Sequence, residues 1–535
     1  MFLVFEIIIS IIISSIPLVG YYLKKKKDKS ELLFSLLSFL ILFIGCLIRI
    51  ILIERYPVGL NQDEASIGYE AYSLSKYGID RNGMFFPIHF IAWGSGQNVL
   101  YAYILIPFIK LFGINNFILR LPMAVVGCLT LLVSYFLFSN AFTKKNGLIF
   151  LFVFSITPWH IMKSRWALES NIFPDLIFYS ISLIYFSLKS NKKRYFIISS
   201  IILGISTYAY GTSYLFVPIF SVITYLYLVL IKKISIKDSL IYISITTIVS
   251  IPMIIFVIIN YFNLNTIRFL ITIPKLYSNR FTSLTSINGN VFTNGLNNFK
   301  MFMSILTYQS DGFVLNYIPK FGLFYKCSLP IMVIGFIYSL VNRRKNILLG
   351  LNNLLFISSL MVVLFTEPNI NRINIIWISF IIYLGLGFVS IYNLRKFASY
   401  LLMSIYFVLF IFFIYNYFND YQSDIEKYMF NGLEDAIIFT NKMNYDKLYI
   451  TNQVNQPYIY YLYYNRISAD YYMKEVVIKD KYVAFQDVKS IDNVYFSVPN
   501  KLKSGNVYIL DNNMVRKYDV DNFKVITFNN YNVIY

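Results

Sequence analysis

Two adjacent carboxylates, Asp63 and Glu64, stand in the stretch PVGLNQDEASIGYEAYSLSKYG. They precede Ala65–Tyr77, whose apolar spacing predicts an amphipathic helix. A helix N-terminus favours an ionised carboxylate. Such a group within hydrogen-bond reach of a hydroxyl is a general base. The plainer reading makes Asp63 the helix cap. A second cluster, PWHIMKSRWALESN at 158–171, crowds His160, Lys163, Arg165 and Glu169 into one short turn. Arg presents a planar fork suited to phosphate, here with an acid nearby. The plainer reading is an i, i+4 surface ion pair of Arg165 and Glu169, worth about 0.3–0.5 kcal/mol. A third cluster, TEPNINR at 366–372, ends on Arg372, which could equally snorkel to lipid headgroups. Tyr208, Tyr210 and Tyr214, in STYAYGTSYLF, read as an interfacial belt or as substrate-lining side chains.

What must position these residues is a membrane bundle. Of the 535 residues 57% are hydrophobic and 14% charged, and the mean hydropathy is +0.59. Soluble chains are ~45–50% apolar and ~25% charged. The excess is gathered into runs long enough to cross a hydrocarbon core of ~30 Å. Runs at 2–23, 31–53, 118–138, 148–162, 172–188, 195–210, 212–231, 239–260, 327–341, 347–365, 373–392 and 398–418 predict about 12 spans. The first is followed, not preceded, by Lys24–Lys27, which argues for a retained span with its N-terminus outside. On that orientation the cytoplasmic loops are Lys24–Lys29, Lys144–Lys145, Lys189–Arg194, Lys232–Lys237, Arg343–Lys345 and Arg395–Lys396. Each holds at least two cations, as cytoplasmic loops do. The run 98–112 would invert every later loop if it spanned, and it carries Pro107 and Lys110, so a helix at the outer interface is expected there.

The expected fold is a polytopic α-helical membrane domain, 1–418, with outer loops 54–117 and 261–326. It is followed by a small extracytoplasmic α/β domain, 419–535. Helices are predicted at 430–443 and 457–464, and strands at 447–451, 506–511 and 524–535. Cys46, Cys128 and Cys327 lie in or beside apolar runs and read as small buried hydrophobes. The net charge of +20 is dispersed in knots between spans, so a nucleic-acid partner is not expected. No phosphate-cradling or dinucleotide glycine loop is present, and His89 and the other His, Cys and carboxylate positions show no metal-ligand spacing. No metal or cofactor is expected.

Three outer turns that each pair an acid with a cation can converge only at the outer membrane face. There the chain resembles the C-type glycosyltransferases, in the branch of protein O-mannosyltransferases and lipid A aminoarabinose transferases. The resemblance rests on Asp63-Glu64 in the first outer loop, FGINNFILRLPMAVVGCLTLL at 112–132, SRWALESN at 164–171 and YAYGTSYLFVP at 208–218. It runs from about residue 31 to 464. It implies transfer of a sugar from a polyprenyl-phosphate carrier to an acceptor hydroxyl, with inversion, at the outer face of a bacterial plasma membrane. It implies Asp63 as the base, with Glu64 beside it, and Glu169 orienting the acceptor or an Arg. Lys163, Arg165 and Arg372 become the phosphate-binding candidates, and His160, Tyr208 and Tyr210 line the substrate. The partners implied are the lipid-linked donor, membrane lipids, and a cell-envelope or protein acceptor. The WWDYG-like motif of the oligosaccharyltransferase branch is absent. A transporter or flippase of a lipid-linked glycan, or a non-catalytic scaffold, are the other readings. The first would need ionisable residues lining a path inside the spans.

Overall fold

The computed structural model describes residues 2–24, 28–278 and 290–535. Parts of two expected loops, 25–27 and 279–289, lie outside the described residues. Among the described residues sixteen α-helices precede the tail. They are α1 Phe2–Tyr22, α2 Lys29–Ile50, α3 Gln62–Tyr77, α4 Leu100–Phe112, α5 Asn116–Ala141, α6 Lys144–Ile156, α7 Pro158–Ser164, α8 Phe173–Ser190, α9 Lys193–Ser206, α10 Ser213–Leu230, α11 Ile236–Tyr261, α12 Val291–Tyr308, α13 Leu329–Asn342, α14 Ile347–Phe365, α15 Ile375–Leu394 and α16 Lys396–Phe418. Among the described residues nine helical segments are long and apolar enough to cross a membrane. A tenth follows if α6 and α7, bent by 62° at their junction, form one span. The chain is a multi-pass membrane protein.

About 12 spans were expected, and among the described residues nine or ten helical segments reach the length and apolarity of a full span. Every expected run lies on helix, but α9 and α13 have 14 residues each, about 21 Å at 1.5 Å per residue, short of a ~30 Å core. The bend between α6 and α7 falls at Thr157-Pro158, where the proline ring disfavours helical backbone in the residue before it. The run at 98–112 forms the 13-residue α4.

Two compact units divide the chain. The first takes the described residues of 1–53, 120–251 and 281–419. Inside it α13 and α15 touch backbone to backbone. A Cβ on Gly335 would lie 1.8 Å from the Tyr383 carbonyl oxygen, and one on Gly387 would lie 2.1 Å from that of Ile331. Small residues at such crossings let apolar helices pack closely where lipid gives no hydrophobic drive to association.

The second unit takes the described residues of 54–119, 252–280 and 420–535. The first outer loop, expected with the spans, packs here with the tail. The tail adds helices α17 Asp420–Ile425, α18 Leu433–Thr440, α19 Pro457–Asn465, α20 Ala469–Glu475 and α21 Asn512–Val515. A hairpin of β1 Ile267–Arg268 and β2 Thr272–Ile273 precedes them. The tail strands are β3 Leu448–Ile450, β4 Val476–Ile478, β5 Val488–Ile491, β6 Val494–Tyr495, β7 Val507–Asp511, β8 Val525–Phe528 and β9 Tyr531–Ile534. They form one sheet in the order β4-β5-β6-β3-β7-β9-β8. β3 runs parallel to both its neighbours and every other pairing is antiparallel. The strands expected at 447–451 and 506–511 are β3 and β7, and 524–535 resolves into the β8–β9 hairpin. Cys46 and Cys128 are buried, whereas Cys327 is exposed, against the expectation for it.

Candidate active site

In the second unit, α3 begins with Asn61, not Asp63, as its cap. The Asn61 side chain accepts the Glu64 N–H at 2.9 Å, and the Glu64 carboxylate accepts the Asn61 N–H at 3.5 Å. This reciprocal box satisfies two of the helix's open donors. It corrects the plainer reading of Asp63 and gives a structural task to Glu64, which is fully buried. Asp63 stands half-buried in the first turn.

A buried polar chain, undetected in the sequence, backs that turn. The Gln97 amide donates to the Asp63 carbonyl at 3.4 Å and accepts the Ser66 hydroxyl at 2.7 Å. Arg81 Nη2 donates to Ser66 at 2.8 Å, and its Nε lies 2.9 Å from Glu70 on the same helix. The Arg81 guanidinium lies over Trp93, 4.5 Å from the ring centroid, and 5.8 Å from that of Tyr458 in α19. Burial pushes the Glu70 carboxyl up, against the opposing pull of Arg81. Burial, then Glu70, pushes Asp80 well above the carboxylate range. Burial lowers His89 to about 4. The His89 ring stacks on Phe256 at 4.2 Å and its Nδ1 lies 2.9 Å from the Phe90 carbonyl, as a satisfied core histidine does.

The turn at 158–171 belongs to the first unit. Lys163, 3% exposed, pairs with Asp175 of α8 and donates to the Asn171 carbonyl at 3.2 Å. His160 Nε2 lies 3.4 Å from Asp175. Its Nδ1 takes the Arg49 Nε–H at 3.2 Å. Arg49 also donates to the carbonyls of Gly45 at 2.8 Å and Phe154 at 2.9 Å. Arg165, fully buried, donates to the carbonyls of Ile48 at 2.6 Å and Ile51 at 2.8 Å and lies over the rings of Tyr417 and Phe418. Arg165 and Glu169 do not share one helix, because α7 ends before Arg165 and Glu169 opens a separate 3₁₀ turn. Asp175, which joins His160 to Lys163, escaped the sequence reading because it lies inside an apolar run.

Arg372 is a quarter exposed and pairs with Glu367 at 3.1 Å. Its turn is tied down by Asp311, whose carboxylate accepts the Ile370 N–H at 3.0 Å. Tyr208 donates to the Val249 carbonyl at 2.9 Å, and the Tyr210 carbonyl accepts the Ser213 N–H at 3.0 Å. Both tyrosine side chains are half-buried. Among the described residues no group of three or more His, Cys, Asp or Glu is placed to hold a metal ion.

Residues 97–259 match the family described as dolichyl-phosphate-mannose-protein mannosyltransferase. No curated protein matches the chain. Its fold is similar to that of ArnT from Cupriavidus metallidurans bound to undecaprenyl phosphate, with a TM-score of 0.58 and 11% identity over 92% of this chain and 97% of that one. The apo state of the same protein gives 0.55 and 10%, covering 94% and 97%. The Archaeoglobus fulgidus oligosaccharyltransferase in complex with Zn and sulfate gives 0.50 and 12%, covering 79% of this chain and 61% of that one. The chain has the C-type glycosyltransferase fold, in the form shared by mannosyltransferases and aminoarabinose transferases.

Proposed function

We propose that the protein transfers a sugar from a polyprenyl-phosphate carrier to an acceptor hydroxyl at the outer membrane face, with inversion. The reading is supported by the family match at 97–259 and by the fold it shares with a protein that binds undecaprenyl phosphate. The observation that carries it is the first turn of α3. Asn61 and Glu64 do the capping there, and Asp63 stands beside them half-buried and backed by the Gln97–Ser66–Arg81 chain.

Asp63 takes the acceptor's proton as the acceptor oxygen attacks the anomeric carbon. The carrier phosphate leaves from the opposite face, where fixed positive charge stabilises the charge that develops. Of the proposed cations, Lys163 and Arg165 are buried and bonded inside their unit, so the phosphate assignment narrows to Arg372, whose guanidinium reaches solvent. His160 is likewise engaged, by Arg49 and Asp175, which leaves Tyr208 and Tyr210 as the proposed lining. Glu169 keeps the proposed task of orienting the acceptor. A flippase would use ionisable side chains along a path. Arg49, His160, Lys163 and Asp175 instead pair with one another and with nearby carbonyls in packed helices.

The test is turnover of radiolabelled polyprenyl-phosphate sugars by purified protein in lipid nanodiscs, with membrane extract as acceptor, beside Asp63→Asn. Wild type transfers sugar, and the variant loses at least the ~10²–10⁴-fold supplied by a general base. Equal turnover by both removes Asp63 as the base.

A further inference from the structure

Helices α3 and α19 pack against each other within the second unit, and three contacts fix their register. A Cβ on Gly68 would lie 2.6 Å from the Tyr463 ring. The Tyr69 hydroxyl donates to the Ile467 carbonyl at 2.9 Å, and that of Tyr72 to Arg466 at 3.2 Å. Position 68 thus meets 463, and 72 meets 466. From 68 to 72 on α3 the partner advances from 463 in α19 to 466 just past its end. Carried back one turn, the same step sets Tyr460 against Glu64 and Ala65, next to Asp63 in the first turn of α3.

Tyr460 is fully buried, and among the described residues its hydroxyl has no hydrogen-bond partner. Its ring is fixed edge-on to Phe430 at 5.4 Å and stacks with Tyr464 at 6.4 Å. A buried hydroxyl without a partner is uncommon and calls for a reason, such as a catalytic role. Burial, then Tyr531 of β9, Asp63 and Glu64, pushes the phenol well above its ordinary range, so it stays protonated and can only donate to a carboxylate.

We propose that Tyr460, supplied by the C-terminal domain, is a positioning residue for the base at Asp63, donating its phenol hydrogen to that carboxylate in the substrate-bound state. The proposal rests on the reading of Asp63 as the base. It gives the tail a task in transfer. Besides Asp63, the titratable groups that act on Tyr460 or touch its ring are Glu64 on α3, Tyr464 on α19 and Tyr531 on β9.

Tyr460→Phe keeps the ring and removes only the hydroxyl. In the nanodisc assay, with a donor the wild type consumes, kcat falls about ten- to a hundredfold, the range for a hydrogen bond to a charged group, while KM stays within about twofold on the same reasoning. Loss of a donor to the carboxylate raises its pKa, so the acid limb of the kcat profile moves to higher pH. The thermal midpoint is unchanged or raised, since the hydroxyl has no resting partner to lose. An unchanged kcat and pH profile beside an inactive Asp63→Asn overturns the role of Tyr460 and leaves the base standing. A lower midpoint with an unmoved pH limb also overturns it, as a structural effect. An active Asp63→Asn overturns the base and the positioning role together.

Discussion

Asp80 lies in the turn after α3, fully buried, with one carboxylate oxygen accepting the N–H groups of Asn82 and Met84, both at 2.8 Å. Its other oxygen has no hydrogen-bond partner among the described residues. A buried carboxyl held well above its unfolded value keeps a proton the unfolded chain has lost. Its contribution is therefore complete below the unfolded pKa and fades as pH rises through the folded one. Asp80→Asn keeps the acceptor oxygen and removes the titrating charge. Thermal unfolding at pH 5 and pH 8 should show a flatter pH dependence than wild type and a higher midpoint at pH 8. A variant less stable at pH 8 contradicts this. Lys163 and Asp175 make the opposite case, a buried ionised pair. Lys163→Met leaves an uncompensated charge and should cost about 3–5 kcal/mol. Lys163→Met with Asp175→Asn should cost less than the two single changes summed, by denaturant unfolding. Asp63 and Glu64 were legible as an acid pair opening a helix, because that signal is local. Arg81 and Asp175 were not, because Trp93 and Tyr458 give meaning to the first, and His160 and Lys163 to the second.

The pairing of α3 with α19 depends on Gly68 having no side chain. A methyl there would meet Tyr463 at 2.6 Å and Leu119 at 3.1 Å. Gly68→Ala should cost about 1–3 kcal/mol through overpacking, against about 1 kcal/mol regained in helix propensity. It should also lower transfer by moving the turn that carries Asp63, and Tyr463→Leu in the same chain should restore part of both. Unchanged unfolding and transfer in Gly68→Ala would show that the two helices part without consequence. The apolar runs located all the expected spans on helix, since a membrane demands one long signal. Span lengths at α9 and α13 and the bend before α7 were blurred, because hydropathy reports where apolar residues lie and not how far the helical backbone continues. In the tail, β3 and β7 carry compact apolar runs and were found. β4, β5 and β6 are two to four residues long, with Lys489 and Ser490 interleaved, and give no alternation to read.

At the scale of the molecule, 11% identity over 92% of the chain preserves the fold of ArnT. Hydropathy and charge expose that membrane fold in this chain even where few residues coincide. From the same charge pattern we propose, under the positive-inside rule, that both termini lie outside. Single cysteines at 145 and 520, on a background lacking the exposed Cys327, should react with an impermeant maleimide only in opened cells and in intact ones respectively. The central claim concerns the donor, and a direct comparison of donor classes tests it best. Purified protein in nanodiscs would receive the same sugars on polyprenyl phosphate and on nucleoside diphosphate, with label followed into membrane acceptor. The account predicts transfer from the lipid phosphate alone, abolished by Asp63→Asn. Transfer from the nucleotide sugar, or transfer from the lipid that survives Asp63→Asn, would contradict it.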